Sequence, residues 1–336
     1  TLESASADQP QAPPIIFTRP GLVPDVSLQV FHQPFHVHSA ALKPNSVFFC
    51  KFLDSPDKLA SSGNSASLFK YDWVTKIDED GTWQLVSSSA PKLDGTKEGV
   101  FTGAIDTEIR AFEILLRAMY SRSLRISSPA EFYLAVELAD YYCALPALSS
   151  ALNGAFYTNP VLAEATYEQP HILIKTAFKL RNAVLYRECL VQTMGPWSKP
   201  QYKEIDDESL RGIAAAAHAG LKDVLLDTQC AIIEILDWAM TYDKDLVAQF
   251  QKLQLDATRG CYNRQAPGER IFHLPRYYRN LYDDQRECRD VDDIDPAGFL
   301  AAMEPLMKND LLLVTQGADR SGEGKYHVRR NLLSST

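Results

Sequence analysis

Apolar and polar residues alternate along residues 25–37, and the alternation then stops. Val26, Leu28 and Val30 are separated by Ser27 and Gln29, the period of a strand with one buried face. After a polar turn through His32-Gln33-Pro34, Phe35 and Val37 resume the alternation, so the first element reads as a β-hairpin. The spacing of Val47, Phe48 and Leu53 then fits a short helix. Residues 54–67 are a polar loop. A second hairpin follows, with Tyr71, Trp73, Thr75 and Ile77 on one face and Trp83 and Leu85 on the returning strand. Asp80-Gly81 is its turn, because Gly reaches positive φ without strain. Residues 87–104 are again loop-like.

Helical periodicity takes over from there. Ile109, Phe112, Leu116 and Met119 recur at three and four residues behind Asp106, the expected cap. Ser128-Pro129-Ala130-Glu131 forms a capping box with Pro at the first helical position, opening a helix that carries Leu134, Leu138, Tyr141 and Leu145. Pro146 suits the first turn of the next helix. Beyond residue 158 the pattern is mainly helical. Ile172, Ala177, Leu180, Val184 and Leu185 predict one helix ended by Gly195-Pro196, and 210–219 and 224–239 predict two more. Periodicity is lost over 260–295. A helix is expected at 296–308 and a strand at Leu311-Leu312-Leu313-Val314-Thr315.

Two stretches carry a family resemblance. The strand–turn–strand ending at His38, the short helix and the pair Phe48-Phe49 resemble the opening of a BTB/POZ domain. Ala118-Met119-Tyr120, Glu137-Leu138-Ala139-Asp140-Tyr141-Tyr142 and Leu145-Pro146-Ala147-Leu148 resemble its closing half. The two occur in the family's order and cover residues 24–157. The turn Tyr120-Ser121-Arg122 lacks the family's Gly, and the inserted hairpin at 70–87 lengthens the middle, as in the long, fungal-type members. The resemblance implies an α+β fold. A short mixed sheet flanked by a helical cluster (24–157) would follow a Pro-rich flexible segment (1–23), where Ile15-Ile16-Phe17 could add an edge strand. A mainly helical extension (158–336) would come last.

The resemblance also implies a non-enzymatic interaction module. BTB domains self-associate, and many present helices to a cullin as substrate adaptors for ubiquitin ligation. Protein partners, a cullin among them, are therefore expected, with no catalytic residue and no cofactor. Partner-binding candidates are Tyr120, Arg122, Tyr141 and Tyr142 in the first half. In the second half they are Arg276, Tyr277, Tyr278 and Arg279, which lie beside Tyr282 and Arg286 in the Tyr/Arg mixture that interfaces favour. Family dimers often exchange an N-terminal helix and strand, and pair a first-strand Asp with a basic residue after the second-strand His. Here Asp25 is present but the basic position is Ser39, and Pro10, Pro13, Pro14, Pro20 and Pro24 preclude the exchanged helix. A monomer or a non-swapped dimer is expected. An enzyme with its site in the C-terminal half, or a chromatin regulator, are the alternatives.

Composition narrows the partners. The 336 residues carry a net charge of −9, which repels phosphate backbones and anionic membranes and disfavours nucleic acid. No apolar run reaches the ~18 residues a membrane span needs. Six cysteines, Cys50, Cys143, Cys189, Cys230, Cys261 and Cys288, are scattered; the first four fall in apolar helical patterns, which reads as an intracellular (cytoplasmic or nuclear) setting. The N-terminus has neither a basic start nor an apolar core, so no secretory signal is read there.

The metal candidates are weak. His36 and His38 share a strand face beside His32, but no Cys or carboxylate is near in sequence to complete a site. Cys261, His273 and Cys288 match no standard ligand spacing. Asp290, Asp292, Asp293 and Asp295 lack the Gly and Glu positions of a calcium loop and read as a solvated loop capping the next helix. Residues 317–325 lack the phosphate-loop spacing, with Tyr326 where a Ser or Thr would hold magnesium. No metal is expected.

Overall fold

A computed structural model describes residues 12–55, 68–89, 99–197, 199–259, 261–266, 269–272, 274–288 and 297–307. Of the loops read at 54–67 and 87–104, residues 56–67 and 90–98 fall outside these residues, as do His273, the acidic run at 290–295 and everything after Met307. The chain is mixed α+β and forms two compact units, residues 1–155 and 156–336.

The first unit is built on a five-stranded mixed sheet of order β1-β3-β2-β4-β5. β2 (Val26–Val30) and β3 (Gln33–Val37) are the antiparallel hairpin. Its turn is Phe31-His32 rather than His32-Gln33-Pro34: Pro34 lies in the strand opposite Gln29, and Phe31 takes a φ of 51°. β1 (Ile15–Ile16) adds parallel to β3, the edge strand expected from the apolar cluster there. β4 (Tyr71–Ile77) returns parallel to β2, and β5 (Trp83–Ser87) pairs antiparallel with it across Gly81, whose φ of 81° suits Gly. Val26, Leu28, Val30, Phe35, Val37 and Trp73 are buried on one sheet face. Each such side chain is worth ~1.5–3 kcal/mol relative to exposure.

Among the described residues between β3 and β4 are two short helices, α1 (Ser39–Asn45) and α2 (Val47–Phe52). After β5 come α3 (Ile105–Met119), α4 (Pro129–Tyr141) and α5 (Leu145–Thr158), and the unit boundary falls within α5. α3 starts behind Ala104, so Asp106 is not the cap; it sits in the first turn, where its charge favours the helix dipole. The α4 capping residue is Ser128, which accepts from the Glu131 N–H at 3.3 Å. The buried face of α4 is Phe132, Ala135, Val136, Leu138 and Ala139, with Tyr141 turned outward.

In the second unit, the helix expected over 172–195 is two: α7 (Pro170–Lys179) and α8 (Ala183–Thr193), preceded by α6 (Pro160–Glu168). The break needs no Gly. Arg181 takes a φ of 50°, and the Asn182 N–H reaches back to the Ala177 carbonyl at 3.1 Å, closing α7. Conversely, the two helices expected at 210–219 and 224–239 are one, α9 (Glu208–Tyr242), capped by Asp207. α10 (Lys244–Thr258) follows. The stretch that lacked periodicity holds a hairpin, β6 (Tyr262–Ala266) and β7 (Glu269–Phe272), and α11 (Leu274–Cys288). α12 (Ala297–Met307) completes the described chain. Phe250 of α10 stacks on Phe299 of α12 at 4.2 Å, within a core that includes Ile232, Tyr278, Leu281 and Met303. Among the described residues no helix is long and apolar enough to cross a membrane.

Candidate interaction surface

The structure separates the expected partner-binding residues into buried and exposed sets. Tyr142 has no exposed surface. It stacks on Phe49 of α2 (5.4 Å between centroids, 2° between planes) and meets Phe112 of α3 at 5.7 Å. Burial drives its hydroxyl well above the ordinary tyrosine range. Tyr142 is therefore core, not surface. Its neighbour Tyr141 is about half exposed, and its hydroxyl donates to Gln84 Oε1 of β5 at 2.9 Å.

What holds this region in place is Ser46. It caps α2, its Oγ accepting from the Phe49 N–H at 3.1 Å, and the same hydroxyl donates to the Tyr142 carbonyl at 2.6 Å. One buried hydroxyl thus ties the start of α2 to the end of α4. Phe48 is consequently wedged between Tyr142 (5.0 Å), Tyr141 (5.8 Å) and Phe52 (4.7 Å). A helix as short as α2 cannot bury all of its apolar residues: Phe49 points in, while Val47 is 57% and Phe52 40% exposed. Val47, Phe52 and Tyr141 are thus exposed apolar side chains, and Phe52 and Tyr141 both pack on Phe48. Sequence reasoning found Tyr141 but missed Val47 and Phe52. The usable signal was four apolar residues, Val47, Phe48, Phe49 and Phe52, on so short a helix.

Tyr120 and Arg122 serve the interior and the N-terminal segment. Tyr120 is 7% exposed, and its hydroxyl accepts from the His38 backbone N–H at 2.7 Å and meets His38 Nδ1 at 2.8 Å. With the hydroxyl proton given to Nδ1, the ring proton sits on Nε2, facing the Leu22 carbonyl at 3.4 Å. Desolvation pushes the Tyr120 phenol up to about 12. Its ring also packs on Phe17 and lies under Arg19 and Arg122, and Arg122 donates to the Thr18 carbonyl at 2.8 Å. These contacts clamp the segment after β1. Ser121 supplies the left-handed turn at φ 51° that Gly would ordinarily take. His38 is thus structural and buried, whereas His36 packs on Phe69 at 4.6 Å, so the two do not form a ligand pair.

The Tyr/Arg set of the second unit lies on α11, where sequence spacing showed no helix. Tyr278 is buried and receives a hydrogen bond from Gln229 Nε2 of α9, with its phenol pushed up to about 12 by burial. Tyr277 packs against the same core, and Arg276 and Arg279 are half-buried. These four do not form one outward face: Tyr277 and Tyr278 hold α11 to the core. The cysteines also differ from expectation. Cys189 and Cys261 are buried, but Cys50, Cys143 and Cys230 are exposed. Among the described residues no group of three or more His, Cys, Asp or Glu is gathered to hold a metal.

Comparisons with known protein families, with curated proteins and with solved structures find no match to this chain.

Proposed function

We propose that the chain is a protein-interaction module of the BTB/POZ type, acting as a scaffold or as a substrate adaptor for a cullin-type ubiquitin ligase. The observation that carries this reading is the order and pairing of elements in the first unit. The β2–β3 hairpin ending at His38, the short helix α2 that carries Phe48 and Phe49, and the closing helices α3, α4 and α5 occur in the order that the resemblance expects, and the hairpin read as an insertion adds β4 parallel to β2 in the same sheet. The side chains at the quoted positions support it as well: the Phe49–Tyr142 stack and the His38–Tyr120 pair join the two stretches that carry the resemblance. The docking surface in this reading is Val47, Phe52 and Tyr141, while the second unit recruits the substrate.

The test is direct binding of the full chain to purified N-terminal domains of cullins, read by calorimetry. The adaptor reading expects micromolar or tighter affinity for at least one of them, weakened about tenfold or more by Phe52→Glu with Tyr141→Ala. Absence of binding to every cullin would sink the adaptor role. Binding that ignores both substitutions would displace the surface.

A further inference from the structure

α9 and α12 pack side by side in the second unit and leave an open groove of about 420 Å³ between them. It is lined by Ala231, Glu234, Ile235 and Trp238 of α9 and by Gly298 and Ala302 of α12. Trp238 is 56% exposed although its ring already leans on Tyr242 at 5.4 Å. Small residues lining a groove together with a half-exposed Trp allow a partner's backbone to approach and its side chain to insert, the arrangement of an interface hot spot.

Charge decides the occupant. Between Lys222 and Lys244, α9 carries Asp223, Asp227, Glu234 and Asp237 and no Lys or Arg. α12 contributes Glu304 and likewise no basic residue. A second copy would bring the same acidic helix against its twin, and an anionic lipid surface would be repelled; a segment with Lys or Arg flanking an apolar anchor is complementary. We propose that the α9–α12 groove docks a basic amphipathic helix of a protein partner. Its apolar side chain enters between Trp238 and Ala302, and its basic residues lie along Glu234 and Asp237. This deepens the interaction reading by giving the second unit a ligand of defined chemistry.

The test uses the full chain and a fluorescein-labelled designed helical peptide with Leu and Trp on one face and Lys and Arg beside them. A twin peptide has Glu in place of every Lys and Arg. Anisotropy should show micromolar binding of the basic peptide, falling as salt rises, and none of the acidic twin. Ala302→Phe, which fills the groove, and the surface reversal Glu234→Lys with Asp237→Lys should each weaken binding about tenfold or more. Equal binding of the twins, or affinity unmoved by both variants, would overturn the assignment. Deleting residues 308–336, which include Lys325, Arg329 and Arg330, should leave the affinity unchanged. A rise of about tenfold would make the chain's own C-terminal segment the occupant and overturn a partner helix. The assay reads only the second unit, so its failure is distinct from a failure to bind cullins.

Discussion

Asp25 accepts two hydrogen bonds from Ser39, one from the backbone N–H at 2.7 Å and one from Oγ at 2.6 Å. Ser39 is the first residue of α1, and His38 before it gives no side-chain cap, so the Asp25 carboxylate takes over that task from β2's leading edge. A negative charge at a helix N-terminus also meets the positive end of the dipole. Asp25→Ala should therefore destabilise the chain by about 2 kcal/mol in urea unfolding, since hydrogen bonds to charged groups contribute ~1.5–3 kcal/mol. Ser39→Ala, which keeps the N–H, should cost about 1 kcal/mol. The reverse order of effects would contradict the capping role.

The same pairing bears on assembly. Asp25 is satisfied within its own chain, and β1 pairs with β3 of its own sheet through Ile15–Phe35 and Ile16–His36. In light scattering at micromolar concentration the chain is expected to run as a monomer, or as a dimer that leaves β1 on its own sheet. A dimer with residues 12–24 lodged on a neighbouring sheet would refute this.

Tyr120→Phe removes the acceptor of a buried backbone N–H and the partner of His38 Nδ1 together. Leaving buried polar groups unpaired costs ~1–3 kcal/mol. Thermal unfolding should show a loss in that range, while Tyr141→Phe, on the exposed side of the same fold, should show little beyond its Gln84 bond. A neutral Tyr120→Phe would mean that water replaces the hydroxyl.

Strand alternation was legible because each buried residue in β2 and β3 has a polar neighbour, and Asp80-Gly81 announced its turn chemically. Helix ends were less legible. Ser121, Cys143 and Arg181 all take left-handed φ near 50°, each followed by an N–H bonded five residues back, so three helices stop without the Gly that would mark them. Helix α11 was missed because its inward face is written in Tyr278 and Gln285 as much as in Leu281, and its outward face is densely charged. The interaction candidates suffered from the same ambiguity. A tyrosine's identity does not say whether its ring is core or rim, and Tyr141 and Tyr142, adjacent in sequence, fall on opposite sides of that line.

His218 should make stability pH-dependent. It is 3% exposed, lies between the Trp197 (4.7 Å) and Tyr202 (5.2 Å) rings, and neither ring nitrogen has a hydrogen-bond partner among the described residues. Desolvation, with Lys222 and Lys203 adding to it, lowers its pKa below the ordinary value. The unfolded chain therefore takes up a proton that the folded chain refuses. This group's stabilising contribution is complete above the unfolded pKa of ~6.5 and declines as pH falls from there toward the depressed folded value. Denaturant midpoints measured between neutral and mildly acidic pH should fall, and His218→Phe should reduce that slope. An unchanged slope in the variant would assign the acid sensitivity elsewhere.

Gly220 distinguishes one helix from two. Sequence spacing placed a break between residues 219 and 224, whereas α9 runs unbroken from Glu208 to Tyr242. Gly220 has no left-handed φ, and a Cβ built on it meets nothing within 4 Å. In a continuous helix, Ala at this position adds no clash and reduces the freedom of the unfolded chain. Gly220→Ala should therefore stabilise by ~0.5–1 kcal/mol. Gly212 sits equally open in the same helix, and its substitution by Ala should add a similar amount. If the chain instead turned at Gly220 with positive φ, Ala would be strained there and the variant would unfold at lower denaturant than the parent. Urea midpoints of the two single variants and the double variant decide between the arrangements.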